Sequence, residues 1–169
     1  MTPMYDFAPQ ADAEGSLAKP ELYRQLVASA DALTEGEPDA VANMANVAAL
    51  VWEFVPRLNW AGFYRVIGGE LVLGPFAGRP ACIRIAMGSG VCGTAAASGT
   101  TQLVEDVNAF PGHIACDSAS KSELVVPLVR NGAVIAVIDL DSPEVGRFDR
   151  EDAAGIEALA AMLAARIGG

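Results

Sequence analysis

Leu124-Val-Val-Pro-Leu-Val-Arg-Asn-Gly-Ala-Val-Ile-Ala-Val-Ile-Asp-Leu-Asp141 reads as two strands joined by a tight turn. Leu124–Val129 and Val134–Leu140 are rich in β-branched and aliphatic residues, which favour a pleated, covered surface. Arg130-Asn131-Gly132 between them is a hairpin signal. Working outward, Trp60–Val66 is a further strand and Gly68-Gly69 a turn. Glu70–Gly74 returns, and Pro75–Pro80 reads as a loop. Ile83–Ile85 and Thr101–Val104 are short strands, with an Ala-rich helix at about Val91–Ser98. Helical stripes precede this block, from Pro20 to Thr34 and from Pro38 to Pro56. A closing helix follows Asp149, whose partner Asp152 three residues on completes a capping signal. Short links between neighbouring strands imply an antiparallel sheet packed by helices, so the fold class is α+β.

Side chains alternate along a strand. Ile135, Val137, Asp139 and Asp141 therefore share one face, and Val134, Ala136, Ile138 and Leu140 the other. Both faces begin apolar, so both are expected to be covered. Two acids then stand together on one of them, where burial without partners is costly. The plainer reading is that they cap loops at an exposed strand end. The turn decides whether Glu123 joins them. A two-residue turn pairs Arg130 with Ala133 and sets Glu123 opposite Leu140. A three-residue loop pairs Val129 with Ala133, Leu124 with Ile138, and Glu123 with Asp139. The second register matches apolar to apolar, and it is the expectation here. It gathers Glu123, Asp139 and Asp141, a set suited to a cationic group or a shared proton.

Beside them runs a segment unlike the rest of the chain, Asp106 to Glu123. It holds the only His (His113), a cysteine (Cys116) and the Pro111-Gly112 pair. Long connections in compact domains are usually functional or disordered. Flanked by strands, this one reads as an ordered lid carrying a reactive thiol over a pocket.

The chain of 169 residues is most simply one domain with a sizeable core. Eleven Lys and Arg stand against 21 Asp and Glu, a net charge of −10. That excess repels phosphate backbones and anionic bilayers, so neither nucleic acid nor a membrane is an expected partner. Met1–Gly15 carries Asp6, Asp12 and Glu14 and lacks the pattern of a secretory signal, so a cytoplasmic protein is expected. Residues 1–18 read as a flexible tail and 19–169 as the domain. The three cysteines, Cys82, Cys92 and Cys116, are an odd count and do not suggest a disulfide scaffold. Each alone is as readily a small buried hydrophobe. Cys92 follows Gly88-Ser-Gly90 at a helix start, where the dipole would lower a thiol pKa. On residue chemistry alone it competes with Cys116 as nucleophile. Zinc held by Cys82, Cys92, His113 and Cys116 is disfavoured, because the set lacks a Cys-x-x-Cys pair. No metal is expected.

The segments Asn59-Trp-Ala-Gly-Phe-Tyr64, Leu73-Gly-Pro-Phe-Ala-Gly-Arg-Pro-Ala-Cys82-Ile-Arg-Ile85 and Gly88-Ser-Gly-Val-Cys92-Gly-Thr94 resemble one known family. So do Val104-Glu-Asp-Val107, Phe110-Pro-Gly-His-Ile-Ala-Cys116-Asp117 and Asp139-Leu-Asp-Ser-Pro143. That family is the GAF-domain free methionine-R-sulfoxide reductases. The resemblance runs from about Tyr23 to the C-terminus and includes all three cysteines. It implies a central, mostly antiparallel sheet of about six strands flanked by helices. It implies reduction of free L-methionine (R)-S-oxide without a bound cofactor. By that similarity Cys116 is the nucleophile and Cys82 the main resolving thiol, with Cys92 an alternative resolver. Glu123, Asp139 and Asp141 hold the substrate ammonium and assist protonation, while Trp60 and Tyr64 wall the pocket. Backbone N–H groups near Gly112–Cys116 are candidates for the substrate carboxylate. His113 is more readily structural than a base. The cycle needs an external dithiol, thioredoxin, as partner. The oligomeric state is left open, a homodimer included. A GAF-like sensor that binds a ligand without turnover is the competing reading; it has no need of three cysteines and an acid cluster.

Overall fold

The computed structural model describes residues 7–9, 17–114 and 116–168. Four helices and six strands alternate as α1 (Lys19–Thr34), α2 (Ala40–Phe54), β1 (Trp60–Ile67), β2 (Glu70–Gly78) and β3 (Arg84–Ala86), then α3 (Gly90–Ser98), β4 (Gln102–Val104), β5 (Ser122–Arg130), β6 (Ala133–Ser142) and α4 (Arg150–Ile167). The strands form one sheet in the order β3-β2-β1-β6-β5-β4, every neighbouring pair antiparallel. The α+β expectation holds. Most of the expected tail, residues 1–18, lies outside the described residues. Phe7, which is described, packs against the helix-side core. No helix among the described residues is long and apolar enough to cross a membrane.

The sheet divides the core in two. On one side α1, α2 and α4 cover Ala61, Phe63, Leu124, Val126, Leu128, Ala136, Ile138 and Leu140. On the other, α3 and the loops cover Trp60, Tyr64, Val125 and Val137, with Cys92 among them. Strand alternation produces this partition directly. The helix layer is tied down by one buried acid. Asp152 accepts from the Tyr23 hydroxyl at 2.7 Å, Lys19 Nζ at 2.7 Å and Arg147 at 3.3 Å. It also closes the expected capping box with Asp149.

Two expectations need correction. Pro75–Gly78 is not loop but the second half of β2, pairing with Trp60–Gly62. The proline is tolerated because that stretch of β2 lies beyond the reach of β3, which pairs only with Glu70–Val72. The β5–β6 register also differs. The turn has two residues, Asn131 and Gly132, with φ of 51° and 78°, and Arg130 pairs with Ala133. A bulge between Leu128 and Val129 then shifts the ladder by one, so Leu128 meets Ala136, Leu124 meets Leu140, and Glu123 meets Asp141. The bulge also moves Ile135 to the helix side and Val134 to the other. Neither simple turn foresees a compact turn followed by an extra residue. The inferred grouping survives, because Glu123, Asp139 and Asp141 still share a face.

β1 and β2 lie close at Gly62. A Cβ there would meet the Phe76 Cβ, stand 2.7 Å from Phe76 Cα and 2.8 Å from Pro75 O. Backbone atoms cannot step aside as a side-chain tip can. Gly62→Ala is expected to cost about 1–3 kcal/mol or more, lowering Tm by roughly 3 °C per kcal/mol. Thermal unfolding followed by circular dichroism checks this; an unchanged Tm would mean that the strands separate freely there.

Candidate active site

A cavity opens on the face opposite the three-helix layer. β1 supplies Trp60 and Tyr64, β5 Glu123, β6 Asp139 and Asp141, and the first turn of α3 Cys92. The Asp106–Glu123 segment closes over them with His113, Ile114 and Cys116. Cys82, in the β2–β3 link, joins through a disulfide to Cys116, their Cα atoms 5.5 Å apart. All eight expected site residues thus meet in one place.

The register explains the acids. Asp141 faces Glu123 on one side and Trp60 on the other, and Asp139 lies two residues along the same strand. Glu123 is 6% and Asp139 5% exposed, so Asp139 is not at an open strand end; Asp141, beside them, is half-buried. Cys92 Sγ donates to Asp139 Oδ2 at 3.3 Å and lies 3.8 Å from Glu123 Oε1. The other oxygen of Asp139, Oδ1, is buried without a hydrogen-bond partner. Burial pushes Asp139 up to about 7, against the pull of its bonds with Cys92 and Glu123. Burial, then the neighbouring carboxylates, hold Glu123 and Asp141 well above the usual range. The cluster therefore stores protons at neutral pH.

Cys92 departs from expectation. Its place in the first turn of α3 suggested a lowered pKa. Instead burial, then Asp139, Glu123 and Asp141, push the thiol well up. Three acids outweigh one helix end, so Cys92 is a protonated thiol and a poor nucleophile. His113 is lowered by burial. Its Nε2 stands 3.8 Å from Glu123 Oε2. The histidine's downward shift and the acid's upward one both work against an ion pair at this contact.

The aromatic wall is ordered by its own bonds. Trp60 stacks on Tyr64 at 5.8 Å and on Phe76 at 5.2 Å. Trp60 Nε1 donates to Arg79 O at 3.1 Å, and the Tyr64 hydroxyl to Cys82 O at 3.0 Å. The second bond ties a wall residue to the backbone of a disulfide cysteine.

The segment Asp106–Glu123 carries a 3-10 turn at Val107–Ala109. Lys121 N donates to Ser142 O at 2.7 Å, and Asn59 Nδ2 to Ser120 Oγ at 3.0 Å and Asp117 Oδ2 at 3.3 Å. Two backbone groups proposed for a carboxylate are already used. His113 N donates to Phe110 O and Cys116 N to Ile114 O. Ala115 lies outside the described residues. The start of α3 offers the alternative: Gly90 and Val91 line the cavity there, while Ser89 N already donates to Ala86 O at 3.0 Å. Asp117, Ser120 and Asn59 were not singled out as site residues. Asn59 and Asp117 stood only as ends of the segments that carry the family resemblance, and Ser120 had no sequence signal. The zinc set considered from sequence is dispersed, since Cys82 and Cys116 bond to each other.

The raised carboxyls give a signed pH dependence. Each binds its proton more tightly in the folded chain than when unfolded, where the value is about 4. Their contribution is fully present below about pH 4 and falls as pH rises through about 7 for Asp139. Asp149, held down to about 2 by Lys19, works the other way at the acid end. Tm is expected to be higher near pH 5.5 than near pH 8.5, and Asp139→Asn should flatten that fall. A variant with the same slope would place its origin elsewhere.

Residues 21–167 match the GAF domain family. A free methionine-R-sulfoxide reductase of Escherichia coli is 50% identical over 145 residues, covering 86% of this chain and 88% of that protein. The enzyme of the same name from Saccharomyces cerevisiae is 42% identical over 167 residues, covering 94% and 93%. The X-ray structure of free methionine-R-sulfoxide reductase from Neisseria meningitidis in complex with its substrate superposes with a TM-score of 0.86. Its identity is 45%, with 90% of this chain and 92% of that one covered. The chain belongs to the GAF-domain free methionine-R-sulfoxide reductases, a family of oxidoreductases.

Proposed function

We propose that this protein reduces free L-methionine (R)-S-oxide to L-methionine by a thiol cycle recycled by thioredoxin. The observation that carries the reading is the Cys82–Cys116 disulfide, whose Cys116 lines a pocket together with Glu123, Asp139 and Asp141. A sulfoxide sulfur becomes electrophilic when its oxygen is protonated. Cys116 thiolate attacks that sulfur, the acid cluster supplies a proton, and methionine leaves. Oxygen passes to Cys116 as sulfenic acid, two electrons passing to the sulfoxide. The Cys82 thiol displaces it, releasing water and closing the disulfide. A dithiol then exchanges with that bond and leaves both thiols reduced. No prosthetic group is needed, and thioredoxin is the external reductant.

Glu123, Asp139 and Asp141 surround the substrate ammonium. An ammonium beside a carboxyl favours its ionised form, so binding frees a proton where the sulfoxide needs one. Trp60 and Tyr64 wall the S-methyl group. The substrate carboxylate meets the α3 N-terminus at Gly90 and Val91. Cys92, buried and protonated, is a reserve resolving thiol. The protein works in the cytoplasm, repairing the free methionine pool under oxidative stress. Residues 19–169 form its single domain; a homodimer is compatible with the reading.

The test is thioredoxin-coupled NADPH oxidation with free L-methionine-R-sulfoxide, the S-epimer serving as control. Consumption with the R-epimer alone supports the reading. Silence with both epimers, on protein whose three thiols titrate as free, overturns it in favour of ligand sensing. The order of the thiols has its own check. Cys82→Ser is expected to release about one methionine per enzyme in a fast first turnover and then slow sharply, with Cys116 held as sulfenic acid until Cys92 resolves it. Steady turnover at the parent rate would remove Cys82 from the resolving role.

A further inference from the structure

Beyond the roles proposed for them in the reaction, the donor atoms on the pocket floor stand close enough together to hold a metal ion. Cys92 Sγ, a Glu123 oxygen and an Asp139 oxygen all lie within 4.8 Å of one another, and all three residues are buried. The edges of the set are 3.3 Å from Cys92 Sγ to Asp139 Oδ2 and 3.8 Å from Cys92 Sγ to Glu123 Oε1. His113 Nε2 adds a fourth donor 3.8 Å from Glu123 Oε2. Bond lengths of about 2.3 Å to sulfur and about 2.0 Å to nitrogen or oxygen give tetrahedral edges of about 3.3–3.5 Å. The two edges from Cys92 lie within about a few tenths of an ångström of these values. His113 stands outside the 4.8 Å set and turns inward to complete the site. A second observation points the same way. Asp139 Oδ1 is buried, lines this pocket and has no hydrogen-bond partner.

We propose that Cys92, Asp139, Glu123 and His113 form an inhibitory zinc site on the floor of the pocket. The donor types select the metal. Calcium and magnesium take six or more oxygens, whereas one thiolate, one imidazole and two carboxylates suit a tetrahedral, borderline-soft divalent ion. Burial lowers the His113 pKa, which favours the neutral form that ligates. Binding displaces the protons of Cys92, Asp139 and Glu123, so zinc competes with protons as well as with substrate. Asp141, Tyr64 and Asp117 face the same floor. They stay outside the coordination shell and moderate its charge. A zinc ion here occupies the space the proposed reaction gives to the ammonium and sulfoxide. Inhibition is therefore competitive with methionine sulfoxide. Metal binding itself does not depend on that reaction; only the inhibition rests on it.

The oxidised protein makes the test clean, because the Cys82–Cys116 disulfide leaves Cys92 as the one free thiol. Zinc titration by calorimetry should give one site per chain with proton release. Cobalt in its place should show tetrahedral visible bands and a sulfur-to-cobalt charge-transfer band. Cys92→Ser should abolish the charge-transfer band and weaken zinc at least tenfold. Asp139→Asn, which keeps size and shape, should weaken zinc similarly while retaining that band. In the reduced enzyme, zinc should raise the apparent KM for the sulfoxide without lowering kcat, and chelator should reverse it. The proposal is overturned by absence of saturable binding, or by equal affinity in parent and Cys92→Ser. Binding through Cys92 with no competition against substrate would overturn the inhibitory role. A protein inactive on every sulfoxide would fail the proposed function while the isotherm still decides the metal site.

Discussion

Cys116→Ser is expected to abolish turnover, at least about 10³-fold, with thioredoxin or with a small dithiol. A serine hydroxyl does not ionise near neutral pH and is a weak nucleophile toward sulfur. The substitution removes one atom's chemistry while leaving the lid's own bonds, such as Cys116 N to Ile114 O, available. The competing assignment would place the nucleophile at Cys92. That thiol sits in a buried nest of three acids, where every neighbour opposes ionisation. Cys92→Ser is accordingly expected to keep the first chemical step, measured as methionine released in a single turnover. If Cys116→Ser still cycles and Cys92→Ser does not, the roles are reversed. The acid cluster would then have to ionise its own thiol neighbour, against the electrostatics described above.

The second large effect is expected at Asp141. Asp141→Asn should lower kcat/KM by about 10²–10³-fold, through both a higher KM and a lower kcat. Asp141 lies opposite Glu123 and beside Trp60, where strand register brings acid and aromatic walls together. An asparagine keeps the shape but can neither pair with an ammonium as an ion nor give up a proton. Its loss also relieves repulsion within the cluster, so the pH–rate profile should shift as well as fall. Steady-state kinetics across pH read all three quantities. An unaltered rate with an unshifted profile would place Asp141 outside the reaction.

Much of this arrangement was legible in the residues. The alternation of Leu124–Asp141 located a hairpin covered on both faces, and the odd composition of Asp106–Glu123 located the lid. What escaped detection depends on events that a residue pattern does not encode. The bulge at Ile135 is one: local preference allows either turn, and packing on both sheet faces selects a compact turn with an extra residue. The reversal at Cys92 is another. Its helix-start position is visible in Gly88-Ser-Gly90, but the three carboxyls that outweigh the dipole come from β5 and β6, remote in the chain. Asn59 and Asp117 escaped notice because their roles are relational, anchoring a lid across a long sequence gap. Pro75–Gly78 was misread because a proline-glycine texture signals a loop, whereas half of β2 runs past its neighbour and tolerates it.

Because the sheet sorts alternate residues to opposite sides, β5 and β6 carry two interleaved messages. Leu124, Val126 and Leu128, with Ala136, Ile138 and Leu140, answer to the helices. Glu123, Asp139 and Asp141 answer to the pocket. A saturation library scored once for abundance and once for catalysis should therefore show two oscillations of period two, out of step with each other. The bulge adds a signature of its own. At Ile135 the phase of the abundance wave slips, since Ile135 and Ala136 both turn toward the helices. A single extra residue thus separates the stretch of hairpin free to vary in its turn from the stretch whose parity holds three acids together.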